Sequence, residues 1–372
     1  MATKAFGIGG AVAAAFLFVL TATAETASNE WKLPEGTEID PGSLRASADL
    51  RYVVFLEEGS SSIQALRLWF PSAYWRLNTK TGELTNVLDK LGIEEGKGKL
   101  LLKPCGFSAN GKYALVLAAR MKPLDIRQRS KEGYTACVLT LEDGSSQKIG
   151  EKIASAAWVG NKVVLSRIEG EGKNRKITNL TLVNPADKST TEMNIKGLIV
   201  CGHPDGRMLI YGCDPQNPAE ATAVDDLDKS KMAVITTDGK VLRQLGVVPP
   251  PGARPDQLIL SANGQYVAFR EGVIARGRKP KKDVKVRVMT TAGDEEWTID
   301  ETATPIGMTD DGRVITVGNV FETEGATVKI RDKSLNSRTL LEHAAAATVV
   351  GNQLFYLTPG EQPVIKSLRL AL

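Results

Sequence analysis

Two histidines, four cysteines and a group of three aspartates are the side chains of this 372-residue sequence that most directly suggest chemistry. His203 falls inside a Pro-Asp-Gly turn and His343 between repeats, and both read as surface histidines. A triad or a zinc site needs more converging ligands than two such positions supply. Asp225, Asp226 and Asp228 would attract Ca²⁺, but their spacing is not that of an EF-hand loop, and a solvated acidic loop is the simpler reading. Cys105, Cys137, Cys201 and Cys213 allow three pairings into two disulfides. Each also sits in or beside an apolar run, where a free thiol packs as a small hydrophobe. No G-x-S-x-G, Walker, H-E-x-x-H or C-x-x-C motif occurs. The sequence therefore predicts no catalytic residue, no metal and no cofactor, and favours binding over catalysis.

Two sets of residues suit binding. One is basic: Arg120, Lys122, Arg127, Arg129 and Lys131; then Lys173, Arg175 and Lys176; then Arg276, Arg278, Lys279, Lys281 and Lys282. Brought to one rim, these segments would make a local cationic surface, although the net charge is only +4 and demands no nucleic-acid partner. A solvated set of hairpin tips is the plainer alternative. The other set is aromatic: Trp69, Phe70, Tyr74 and Trp75, which as strand would be core and at a loop tip would form an interface anchor.

The elements that position these residues come from a repeat. An apolar stretch, a tight turn and a second apolar stretch recur around Asp49, Asn110, Asn161, Asp205, Asn263, Asp311 and Asn352. The mean spacing of about 50 residues is that of one four-stranded propeller blade. Asn-Gly and Asp-Gly accept the positive φ angles that tight hairpins require. Each unit also contains a second hairpin, as in Val234–Leu242, which makes four strands, A to D, per unit. The last unit lacks chain for strand D, and Trp31–Asp40 is available to supply it. The expected fold is all-β: a seven-bladed β-propeller of four-stranded antiparallel blades closed by the N-terminal strand, with six blades as the alternative. In this register the basic segments are B–C connections. One short helical stretch is expected near residues 219–228.

The run Ser-Ala-Asn-Gly-Gln-Tyr-Val-Ala-Phe at 261–269 resembles the S-P-D-G-type repeat of TolB-like, or WD-repeat-like, propellers. The same pattern occurs in the propeller domains of prolyl-oligopeptidase-type peptidases. Ser108–Lys112, Thr309–Arg313 and His203–Arg207 match it more loosely, and no Trp-Asp dipeptide occurs. The resemblance implies an exported protein-interaction module and transfers no functional residue.

Residues 1–24 have the layout of a signal peptide: a basic start, the apolar run Ala5–Leu20 and an Ala22-Thr-Ala24 cleavage site. A single propeller domain over 25–372 is then expected in the periplasm or outside the cell, as a monomer with no membrane span after cleavage. Its expected partner is another protein or an envelope polyanion. The competing function is a propeller enzyme of lyase or lactonase type, with its site at the central channel.

Overall fold

The computed structural model describes residues 29–59, 70–93, 99–121, 133–170, 174–214, 216–221, 232–244, 258–271, 285–292, 295–299, 301–318 and 325–372. The described residues form 28 strands and no α-helix. Part of the expected helical stretch, 222–228, lies outside them, as does the signal segment 1–24. No helix among the described residues is long and apolar enough to cross a membrane.

Strand β1 (Glu30–Lys32) stands apart from the strands that follow it in sequence. The first meander is β2 (Arg45–Ala46), β3 (Tyr52–Glu58), β4 (Pro71–Asn78) and β5 (Leu84–Asn86). The next runs through β6 (Lys99–Phe107), β7 (Tyr113–Met121), β8 (Tyr134–Thr140) and the first half of β9 (Ser146–Val159). The second half of β9 opens another meander, with β10 (Lys162–Glu169), β12 (Asn179–Val183) and β13 (Thr190–Lys196). The two-residue β11 (Lys176–Ile177) pairs with the end of β10. Then come β14 (Leu198–Gly202), β15 (Arg207–Tyr211), β16 (Met232–Thr236) and β17 (Val241–Gln244). They are followed by β18 (Leu258–Leu260), β19 (Tyr266–Glu271), β20 (Lys285–Thr290) and β21 (Glu296–Ile299). A further meander is β22 (Thr304–Met308), β23 (Val314–Val317), β24 (Ala326–Arg331) and β25 (Ser337–Ala344). The last is β26 (Ala346–Val350), β27 (Gln353–Thr358) and β28 (Val364–Arg369), whose outer neighbour is β1, with Trp31 opposite Ile365. First strands contact one another in the order β2, β6, β9, β14, β18, β22, β26 and back to β2. That is the arrangement of a β-propeller, with A strands innermost.

Inner strands such as β3 and β23 are buried on both faces, which explains their nearly continuous apolar runs. Along β3, Tyr52, Val54 and Leu56 enter a core shared with Val116, Ala118 and Leu139 of the following meander. Val53 and Phe55 point the other way, into a core with Ala346, Phe355 and Ile365. Strand alternation thus sorts one sequence into two seams rather than into inside and outside.

Two kinds of junction between successive meanders stand out. In β9 the chain passes from outer strand to inner strand without a loop, bending at Lys152, whose φ is 54°. The passage from β25 to β26 repeats this, with φ 62° at His343. Each bend lies against a glycine: a Cβ on Gly133 would come within 2.7 Å of the Lys152 carbonyl carbon, and one on Gly325 within 2.9 Å of that of His343. At other junctions arginine reaches across. Buried Arg76 on β4 donates through Nη1 to the carbonyls of Leu141 (2.8 Å) and Glu142 (3.1 Å), beyond the end of β8.

Candidate functional site: a cavity behind the inner turns

The recurring Ser-x-Asn/Asp turn is a local hydrogen-bonding device. Ser108 Oγ donates to Asn110 Oδ1 (2.7 Å) and accepts from the Tyr113 N–H (3.0 Å). Ser261 repeats both bonds with Asn263 (2.7 Å) and Tyr266 (3.0 Å), and Ser47 does so with Asp49 (2.7 Å) and Tyr52 (2.9 Å). The hydroxyl occupies a backbone donor that the turn would otherwise leave unpaired.

These A–B turns also bond to one another. Ala109 N–H donates to the Gly160 carbonyl (3.0 Å), and Asn110 N–H to Asn161 Oδ1 (2.8 Å). Arg207 donates to the carbonyls of Asn263 (2.6 Å) and Gly264 (3.0 Å). Asn263 N–H in turn donates to Asp310 Oδ1 (2.7 Å). His203, expected at the surface, is buried, and its Nε2 meets the Ala262 carbonyl. It takes the place of the turn serine and faces Asp205 through Nδ1 (2.7 Å). Partial burial would raise the Asp205 pKa, but hydrogen bonds from Arg207 and His203 outweigh it and hold the carboxyl well below the usual range.

Beside these turns, β2, β6, β9, β14 and β18 line a cavity of about 250 Å³. Its charged residues are Arg45 and Lys103, its thiols are Cys105 and Cys201, and no carboxylate lines it. Arg45 Nη1 donates to the Leu44 carbonyl (2.8 Å), and Cys105 Sγ donates to the Lys103 carbonyl (3.4 Å). Trp158 fixes one wall: its indole N–H donates to the Gly106 carbonyl (3.0 Å), and its ring stacks on Tyr113 at 6.4 Å. In the core that β4 shares with the following meander, the fully buried Tyr74 hydroxyl has no hydrogen-bond partner among the described residues. Burial, reinforced by Cys105 and opposed by Arg45, raises its pKa well above the ordinary phenol value.

None of the four cysteines is disulfide-bonded. Burial pushes the thiols of Cys137 and Cys213 up to about 11 and that of Cys201 to about 12. These three are therefore protonated at neutral pH and unsuited to nucleophilic attack. Among the described residues no group of three His, Cys, Asp or Glu side chains could hold a metal ion.

Of the sequence-predicted basic set, three residues are described. Arg120 is partly exposed near the end of β7, Arg175 is partly exposed before β11, and exposed Lys176 opens β11 opposite Glu169. Lys122, Arg127, Arg129, Lys131, Lys173, Arg276, Arg278, Lys279, Lys281 and Lys282 lie outside the described residues, as do Trp69 and the aspartates 225, 226 and 228. Phe70 and Tyr74 are buried and so serve as core rather than as an exposed anchor. Trp75 is partly exposed and donates its indole N–H to Glu57 Oε2 (2.7 Å).

Sequence reasoning did not single out Arg45, Lys103 or the thiol pair as a group. The available signal was register: two residues before each turn residue Ser47, His203 and Ser261 stand Arg45, Cys201 and Ile259, all on the cavity wall.

No family model and no curated protein sequence matches the chain. Among solved structures, the chain is similar to oligogalacturonate lyase from Vibrio parahaemolyticus, at 12% identity and a TM-score of 0.49, over 92% of this chain and 97% of that one. It is also similar to the β-propeller domain of the Trilobed protease from Pyrococcus furiosus (11% identity, TM-score 0.44), over 72% and 79% of the two chains. For Porphyromonas gingivalis dipeptidyl peptidase 4 the values are 12% and 0.43, and the 88% of this chain that matches spans half of that protein. All three likenesses fall below a TM-score of 0.5, and no residue role passes from them to this chain.

Proposed function

We propose that this chain is an exported, non-catalytic, seven-bladed β-propeller of the TolB-like kind. On this reading its N-terminal strand closes the ring, and it binds an anionic protein surface or envelope polyanion through basic B–C loops. The observation that carries the reading is the bonding of A–B turns to one another: Ala109 to Gly160, Arg207 to Gly264 and Asn263 to Asp310. Turns that touch share a face. In an up-and-down meander the B–C connections leave from the opposite ends of the strands, and on this reading they carry the basic segments. Three basic stretches distant in sequence then meet on one rim, where their field adds and salt screens it beyond about 8 Å.

The test is co-sedimentation or pull-down of the mature chain with envelope material across a salt series, beside a variant carrying Glu at Arg278, Lys279, Lys281 and Lys282. Capture should fall steeply with salt and drop about tenfold or more in the variant, whose melting temperature should stay unchanged. Capture indifferent to both would end the proposal. Intact-mass analysis of the exported protein should find residues 1–24 removed.

A further inference from the structure

We propose that the cavity among the inner strands is a second binding site, for a small organic anion, with Arg45 and Lys103 as its charge partners. It is separate from the basic loops, since its wall belongs to the ends of β6, β9 and β14 that lead into the A–B turns. Three observations converge on it. Two partly exposed cations line one half-open space whose wall holds no carboxylate, and neither forms an ion pair among the described residues. A cleft with uncompensated positive charge and apolar walls focuses the local field and attracts an anion. The volume of about 250 Å³ is below that of drug-sized pockets, which limits the ligand to a small dicarboxylate or a single acidic sugar ring. Most of the remaining wall is apolar, from Phe107, Ala156, Val200 and Leu258, so an organic body suits it better than a bare inorganic ion.

Cys105, partly exposed on the cavity wall and not disulfide-bonded, offers a reporter of the local potential. Methanethiosulfonate reagents transfer their thioalkyl group to the cysteine sulfur, expel methanesulfinate and release the thiol proton to solvent. Three reagents would be compared on the full chain: sulfonatoethyl (negative), trimethylammonioethyl (positive) and methyl (neutral), with Cys105 labelling followed by peptide mass. Relative to the neutral reagent, the anionic one should react at least about tenfold faster than the cationic one at low salt. The preference should shrink as salt rises. Arg45→Gln and Lys103→Gln should each cut it by about threefold or more, and adipate, unlike adipamide, should protect Cys105. Charge reversal of the loop residues Arg278 to Lys282 should leave the preference untouched, which separates this site from the rim. The proposal fails if the cationic reagent reacts as fast, if salt leaves the ratio unchanged in the unaltered chain, or if no reagent reaches Cys105.

Discussion

The passage through β9 and the junction spanned by Arg76 join neighbouring sheets by opposite means. In the first, the backbone itself crosses: one 14-residue strand is outer edge to one meander and inner edge to the next. The fit is made by a left-handed Lys152 packed against Gly133. In the second, 12 residues separate β5 from β6, and a buried guanidinium supplies the fit by capping carbonyls beyond the end of β8. The junction between β17 and β18 resembles the second kind, with Arg207 reaching two carbonyls of the next turn. A tight crossover thus spends conformational strain, and a long one spends a charged side chain. The same cohesion is reached from backbone chemistry in one place and from side-chain chemistry in the other.

The comparison makes graded predictions. Arg76→Ala should have the largest effect, about 3 kcal/mol of lost stability in denaturant unfolding, because it strands the buried Leu141 carbonyl and removes a buried guanidinium's bonds to Glu142 and Glu83. Arg76→Lys should recover only part of this, since an ammonium lacks the planar fork. Gly133→Ala and Gly325→Ala should each cost about 2 kcal/mol, through a positive φ and a Cβ pressed on the facing backbone. If either is neutral, the crossover is not held by close approach. Arg207→Ala should cost about 1.5 kcal/mol, half the Arg76 effect, because its side chain is more exposed. Lys152→Gly and His343→Gly should both stabilise, by about 1 kcal/mol, by relieving the left-handed conformation.

The smallest effect is a pH dependence. Asp205 has a folded pKa below its unfolded value, so the unfolded chain binds its proton first on acidification. Its contribution is therefore complete above about pH 4–5 and fades as pH falls through the folded value. As a half-exposed group it should add less than about 1 kcal/mol, read as the difference between the acid limbs of the wild type and Asp205→Asn.

The sequence made legible whatever is local. Ser108, Asn110 and Gly111 announce a turn because their bonds close within five residues, and the copies at 261–264 and 309–312 speak in the same terms. What it hid is long-range or shared. The pair of hairpins around Asp143 and Asn161 reads as two units with a connection between them, whereas β9 is a single strand serving both. Nothing at Lys152 marks a left-handed residue, since lysine has no preference for that region. His203 was misread because its neighbours Pro204 and Asp205 suggest a solvated turn, while the Ala262 carbonyl that buries it lies 59 residues away. The cavity escaped for the same reason: five strands contribute to it, and no short window contains both Arg45 and Lys103.

The continuous β9 carries a consequence for the breathing of the molecule. Ile153 pairs at once with Tyr134 of β8 and Arg167 of β10, so neither neighbouring meander can release its edge without disturbing the other. Amide protons in β8 and in the matching stretch of β10 should exchange with solvent in one cooperative opening, whereas meanders joined by longer connections are free to open separately.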